Sequence, residues 1–441
     1  MKLRPITALI LAALAGPVAG EDLMQVYREA QRNDPSLAAA RASWTATQER
    51  VPQARSALLP NVSAGGTAYL NDGRTDFTGG NIPVTANSYS NAGLTISASQ
   101  PLYRRQNQLA YDQAQRLVEQ ADYTLAVAQQ DLILRVAVVY FDVLLAEVNI
   151  ELAEAQKAAV SEQLAQAKRN FEVGVATITD TNEAQARFDT IVAQEIAARN
   201  DLDNRRTALR AIIGRMPGAL KKLGPAFEPE LPTPNVLETW LDRALTENLN
   251  VRIAGYNVDV ASLEIERARA GHLPTVDLVA GAGVTWGTGS LASDFNFNSR
   301  DARIGVAVNV PLYQGGFVES RVREAIALQD SARQVLETAR RNAIFNAQNG
   351  FTGVNSAAAS VTAFKQALRS AETALASNKL GQEVGVRTNL DVLNVTQSVF
   401  QTRRDLADAY FKYLIAVLRL KAASGTLSEL DLEDINRRLG G

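Results

Sequence analysis

The 441-residue chain has no cysteine, which excludes disulfides, thiolate metal sites and an acylated N-terminal cysteine. It has a single histidine, His272, close to Pro274 and without a partner motif, so imidazole catalysis has little to work with. Aromatic residues make up only 6%. There is no excess of positive charge: 45 Lys and Arg stand against 47 Asp and Glu, which argues against a nucleic-acid footprint. After the first twenty residues no apolar run approaches a transmembrane helix, so any membrane passage has to be made by strands. Proline is missing from two long tracts, Arg104 to Arg169 and Phe317 to Leu380. Rich in Ala, Gln, Glu, Arg and Leu, these read as extended helices of about 95 Å each at 1.5 Å per residue.

The N-terminus supplies a compartment. Lys2 and Arg4 precede a short apolar core, Ile6 to Ala15, and Val18-Ala19-Gly20 offers a small-residue cleavage site before Glu21. The core is too short to span a bilayer comfortably, so residues 1–20 read as a cleaved export signal. Losing its two positive charges takes the formal charge from −2 to −4.

The rest of the chain is one unit written twice. Leu59-Pro60-Asn61-Val62 returns as Leu273-Pro274-Thr275-Val276, and Gln100-Pro101-Leu102-Tyr103 as Val310-Pro311-Leu312-Tyr313. Glu172-Val173-Gly174-Val175-Ala176-Thr177 returns as Glu383-Val384-Gly385-Val386-Arg387-Thr388, and Ile213-Gly214 corresponds to Ser424-Gly425. The expected layout is a first repeat over 21–214, a Pro- and Gly-rich linker over 215–235, a second repeat over 236–425 and a terminal segment over 426–441. Each glycine of the third motif reads as a tight turn between helices. The Thr-x-x-Asp beside it reads as a capping box that restarts the helix, with Asp180 and Asp391 in the electropositive first turn. The chain therefore carries the same helix-turn-helix tip twice, at 172–180 and 383–391.

Between helices the period changes to two. Strands are expected at about 61–71, 90–101, 275–287 and 302–311, where Val, Ala, Leu and Ile alternate with Thr, Ser, Gly and Asn. Each is close to the roughly 9–11 residues of a tilted membrane-spanning strand. Half-buried strands of a soluble sandwich would show the same alternation. The segments between them, with Phe77, Tyr89, Phe295 and Phe297, suit exposed loops. If the strands meet lipid, four per chain cannot close a barrel, since such barrels start at about eight strands. Two chains would give a barrel filled by its own side chains, and three give twelve strands and an open lumen. The trimer is the economical solution.

At this point the residues carry a likeness. Glu21-Asp22-Leu23-Met24-Gln25-Val26-Tyr27, Ala54-Arg55-Ser56-Ala57-Leu58-Leu59-Pro60, Gly271-His272-Leu273-Pro274-Thr275, Pro311-Leu312-Tyr313-Gln314-Gly315-Gly316 and both tips resemble the TolC family of outer-membrane efflux proteins. The likeness covers essentially the whole chain after the signal. It implies a mixed α and transmembrane β-barrel fold: a homotrimer with a twelve-stranded barrel in outer-membrane lipid, continued by a long periplasmic α-helical barrel. It also implies an equatorial collar, here Pro217 to Leu245 and Leu427 to Leu439. The implied partners are a periplasmic adaptor and an inner-membrane pump or ABC transporter, with drugs, toxins or proteins as cargo. No cofactor, metal or nucleic acid belongs to this picture.

Carried over by position, Arg387 would bond near Thr179 and Asp180 to close a periplasmic gate, and Asp391 would form a ring of three carboxylates. Two departures stand out: Asn394 occupies the place of a second acidic ring, and Gln382 replaces a gate tyrosine. Fewer carboxylates should weaken cation binding, and losing the tyrosine should loosen closure. Gly174-Val175 and Gly385-Val386 become the adaptor contacts. Without the resemblance, the default for Asp180 and Asp391 is a helix first-turn carboxylate and for Arg387 a solvated charge. The rival function is a periplasmic or surface trimeric coiled-coil spacer or adhesin without transport. No catalytic constellation is present in the sequence.

Overall fold

The computed structural model describes residues 20–75, 85–224, 227–290 and 295–439. The expected export signal, apart from Gly20, and the expected loop aromatic Phe77 lie outside the described residues. The chain divides into two compact units. One takes the chain up to Ala40, Ala126–Asn248 and the chain from Arg341 onward; the other takes Arg41–Leu125 and Leu249–Arg340. Each unit thus draws matching pieces from both sequence repeats.

The element order is α1 (Leu23–Asn33), α2 (Pro35–Gln48), α3 (Arg50–Ser56), β1 (Asn61–Thr75), β2 (Thr85–Tyr103), α4 (Arg105–Glu172) and α5 (Ile178–Ile213). There follow α6 (Leu237–Glu247), α7 (Leu249–Arg269), β3 (Thr275–Gly287), β4 (Phe297–Asn309), α8 (Phe317–Glu383), α9 (Asn389–Ala423) and α10 (Glu429–Arg437). The proline-free tracts are unbroken helices of 68 and 67 residues, α4 and α8. The run after Ser36 is two helices rather than one. Pro52 has no N–H to give the carbonyl of Gln48, and the ladder restarts with Gln53 bonded to Glu49 at 3.1 Å.

In the first unit the stripe Val136, Tyr140, Val143 and Leu144 of α4 is fully buried. The Tyr140 hydroxyl donates to the carbonyls of Glu21 and Lys221 at 3.1 and 3.0 Å, and burial pushes its pKa up. The repeat is visible in the chemistry of the helix ends. Asn33 donates to the carbonyl of Ile213 at 2.9 Å where α5 ends at Gly214, and Asn248 donates to that of Ala423 at 2.9 Å where α9 ends before Gly425.

Asp34 joins α1 to α2 and both to α4. Its carboxylate accepts from the Leu37 amide at 2.8 Å and from the Arg135 guanidinium at 3.0 and 3.2 Å, with the Ser36 hydroxyl beside it. Pro35 follows at the first helical position, where its missing donor costs nothing. Burial pushes this carboxyl up, but Arg135, Ser36 and Leu37 together outweigh it and hold the group at about 2, below its ordinary 3.8. A carboxylate with a depressed folded pKa contributes stability that is complete above about pH 4 and lost as pH falls toward 2. Asp34→Asn should therefore cost about 1–3 kcal/mol at neutral pH and flatten the stability curve between pH 4 and 2. Denaturant titrations followed by circular dichroism at several pH values check this; a variant whose curve stays parallel to the parent's contradicts it.

The second unit holds the sheet, antiparallel throughout in the order β1-β2-β3-β4. β3 has its expected limits. β1 and β2 run further than the apolar alternation suggests, because pairing continues through polar residues from Asn71↔Tyr89 to Thr75↔Thr85. β4 starts earlier, at Phe297, for the same reason. Where β2 hands over to α4, Arg104 grips Asp277 of β3 with two bonds of 2.8 and 2.6 Å. Packed against α4 in this unit, α7 presents Glu264 and the Val260 carbonyl to Gln113, at 3.0 and 3.2 Å.

Candidate functional site: a two-faced sheet and two helical tips

Residues directly opposite in an antiparallel sheet share a face, so the register sorts the four strands into two surfaces. The even-numbered residues form rows such as Val62–Ala98–Ala280–Ile304 and Ala64–Ile96–Ala282–Ala302. This face is apolar and open: Leu94, Ile96, Ile304, Val306 and Val308 are all more than half exposed. The odd face reads Ser63, Gly65, Thr67, Ser97, Thr95, Gly281, Gly283 and Thr285, with the Ser63 and Ser97 hydroxyls bonded at 2.8 Å. Arg303 and Asp301 of β4 pass over Gly281 and Gly283, where a Cβ would come within 3.4 and 3.1 Å of them.

The apolar face is a diagonal band. On β1 it runs from Val62 to Leu70 and ends before Asp72; on β4 it ends at Ala302, before Arg300. Yet Arg300 stands in the row Gly66–Leu94–Val284, well short of Asp72. Trp286, in the row of Ala68 and Ala92, closes the band on β3. Both edge strands, β1 and β4, lack a second neighbour among the described residues.

In the first unit the tips are built as the duplicated motif dictates. Gly174 and Gly385 sit at φ +78 and +79, a conformation that glycine enters without steric cost. Val175 and Val386 return their amides to the carbonyls of Asn170 and Gly381 at 2.9 and 2.8 Å. Thr177 and Thr388 then open α5 and α9 with complete capping boxes: the Asp180 and Asp391 amides donate to the threonine hydroxyls, and the carboxylates accept from the threonine amides at 2.9 Å. The Thr388 amide and hydroxyl hold Asp391 below the usual carboxylate range, with the Arg387 charge adding to them. Val173, Val175, Val384 and Val386 crown the two turns and are exposed.

Of the predicted gate residues, Arg387 is exposed and lies close over Gly381. It makes no hydrogen bond or ion pair with Thr179 or Asp180 of the same chain. Gln382 donates to Asn389 at 3.3 Å, within its own tip. Asn394 accepts from Arg187 of α5 at 3.0 Å, tying the two hairpins together. Arg187 was not singled out by the sequence, although it lies two turns beyond Asp180 on the same helix face. Also unforeseen is the packing beneath the tips, where Leu393 of α9 meets Val160, Leu164, Ala184 and Ile191 of the first hairpin. Gln163 of α4 donates to Thr396 of α9 at 3.1 Å in the same layer. Among the described residues no group of three or more His, Asp or Glu is placed to hold a metal ion, and no helix is long and apolar enough to cross a membrane.

Comparison with known proteins agrees with this geometry. The family model for outer membrane efflux proteins matches residues 26–215 and 240–426, one match per repeat, and the gap falls on the Pro- and Gly-rich linker. The outer membrane protein TolC of Vibrio cholerae is 37% identical over 442 residues, covering 99% of this chain and 98% of that protein. The proteases secretion protein PrtF of Dickeya chrysanthemi is 32% identical, covering 97% and 93%. Among solved structures, the outer membrane protein VceC of V. cholerae superposes with a TM-score of 0.76 at 20% identity, covering 91% of this chain and 96% of its own. Full-length similarity, a match in each repeat and a shared fold agree: the chain belongs to the outer membrane efflux protein family.

Proposed function

We infer that three copies of this chain form an exit duct of the Gram-negative cell: a twelve-stranded barrel in the outer membrane, continued into the periplasm by a tube of the long helices. The observation that carries this is the sheet, apolar on one face and hydroxyl- and glycine-lined on the other, with two open edges and too few strands to close alone. The relatives' names, TolC for an outer-membrane protein and PrtF for protease secretion, support efflux and type I secretion as the traffic. A coiled-coil spacer or adhesin has no use for a sheet with a continuous exposed apolar face, and nothing in the comparisons supports it. The protein is a conduit, and no catalytic role is assigned to any residue.

The tips are the docking end. Exposed valines flanking each glycine turn fit the adaptor, which joins the duct to an inner-membrane pump or ABC transporter. Arg387, with no acid of its own tip region bonded to it, reaches Thr179 and Asp180 of the next copy and latches the tunnel shut, while Asp391 contributes a ring of three carboxylates.

Purified trimers inserted in planar bilayers should conduct; a protein that stays soluble without detergent and forms no channels ends this reading. Multivalent cations added on the tip side should block the current, and Asp391→Ala should raise the blocking concentration severalfold. Unchanged block would place the binding carboxylates elsewhere.

A further inference from the structure

Asn394 stands one turn after Asp391 on α9, and residues three apart on a helix share a face. That face continues through Ser398 and Gln401, and Asn394, Ser398 and Gln401 are all exposed. When three copies bring Asp391 together as a ring, Asn394 forms a second ring about 4.5 Å further along the helix. The second ring is not electrically empty. The Asn394 side-chain oxygen accepts from the Arg187 guanidinium at 3.0 Å, so each Asn394 holds a positive charge of α5 beside it.

The packing of the hairpins puts that charge there. Ala184 and Ile191, three residues before and four after Arg187 on α5, are buried against Leu393 of α9. The side chain of Arg187 therefore leaves α5 at the edge of this apolar layer, half-buried, and its head group meets the exposed Asn394. No acid pairs with it. Arg187 makes no ion pair among the described residues, Glu183 one turn before it on α5 included. Asp391 commits one carboxylate oxygen to the Thr388 amide and hydroxyl, and the cation that acts on it is Arg387. Asn394 can hold the guanidinium but, being neutral, leaves its charge whole, whereas a carboxylate there would pair with it.

The constriction thus carries two rings of opposite sign, carboxylates toward the mouth and guanidiniums one turn inside. We propose that Arg187, positioned by Asn394, makes the inner side of the gate an anion-binding ring for the carboxylate or phosphate groups of passing cargo. A cation arriving from the tips meets the carboxylates first, and an anion arriving from the barrel side meets the guanidiniums first. In a narrow passage with low-dielectric walls both fields are focused, so neither sign of ion crosses with a large advantage.

This role rests on the duct reading and on the Asp391 ring, and each is read separately. In planar bilayers under a potassium chloride gradient, Arg187→Gln should move the reversal potential toward the cation limit, while Arg187→Lys, which keeps the charge, should stay near the parent. Asn394→Asp, which pairs with the guanidinium, should move it in the same direction as Arg187→Gln. Citrate added on the barrel side should block the parent, and Arg187→Gln should raise the blocking concentration severalfold. Variants that change the size of the resting current but leave the reversal potential and citrate block unaltered make the Arg187–Asn394 bond a mechanical tie between hairpins and overturn the anion ring. If Asp391→Ala still weakens cation block in those experiments, the duct and its outer ring stand without the inner one. Absence of conductance in the parent chain removes all three.

Discussion

Trimers carrying Arg387→Ala should rest more open than the parent, by about 3- to 150-fold in the ratio of conducting to closed channels. The range follows from about 0.2–1 kcal/mol for one wet ion pair, counted three times in a threefold ring. Arg387 is suited to act on a neighbour. It is the one residue by which Glu383 to Thr388 differs from Glu172 to Thr177, where Ala176 stands, and it makes no bond to Thr179 or Asp180 of its own chain. Asp180 is committed by its capping box to Thr177 through one oxygen, leaving the other for an incoming guanidinium. Asp180→Ala should open the channel too, but with a local cost to the start of α5 of about 0.5–2 kcal/mol that Arg387→Ala avoids. Resting conductance in planar bilayers reads both. An Arg387→Ala channel that stays as closed as the parent removes this residue from the latch.

Gly425→Ala should be among the most damaging single-methyl additions in the chain. Gly425 has φ +79, and a Cβ there would lie 2.3 Å from the carbonyl oxygen of Glu247 and 2.5 Å from its carbon. These are backbone atoms at the junction of α6 and α7, so no side chain can swing aside. The left-handed conformation alone costs a residue with a Cβ about 1–2 kcal/mol, and the overlap adds about 1–3 kcal/mol. Gly174 is the natural control. It has nearly the same φ, +78, but nothing within 4 Å of its missing Cβ, so Gly174→Ala should cost only the conformational part. Thermal unfolding should rank the two clearly; equal losses would mean that the contact with Glu247 is relieved without cost.

Much of this molecule is legible in its sequence because much of it is local. A Gly followed by Thr-x-x-Asp specifies a turn and a cap through atoms a few residues apart, and both capping boxes are present. Alternation places the strands because the pleat has period two, and the duplication supplies a second copy of each signal. The Val136–Leu144 stripe reports its own burial. What the sequence does not spell out is which long helix meets which, and at what height. Arg187 meeting Asn394, Gln163 meeting Thr396 and Leu393 entering the cluster around Leu164 depend on helix-to-helix register, which no local pattern encodes. The Asp34–Arg135 bond is similar: the Asn33-Asp34-Pro35 turn is readable, its partner a hundred residues on is not. The division of Ser36 to Ala57 at Pro52 was readable and turned on a single missing donor.

The diagonal course of the apolar face has a consequence for the width of the opening. On β1 the first charge on that face lies about two residues per strand further along the register than on β4. With a rise of about 3.3 Å per residue and strands about 4.8 Å apart, a level band requires the strands to lean by about 50°. At that lean the 13 residues of β3 climb only about 27 Å, so strands longer than the usual span still fit the membrane. For a fixed number of strands the backbone radius grows as the lean steepens. Twelve strands at about 40° would enclose a cylinder of about 12 Å radius, and at 50° or slightly more one of about 15 Å. For twelve strands the bore is thus set by where Arg300 and Asp72 fall along them.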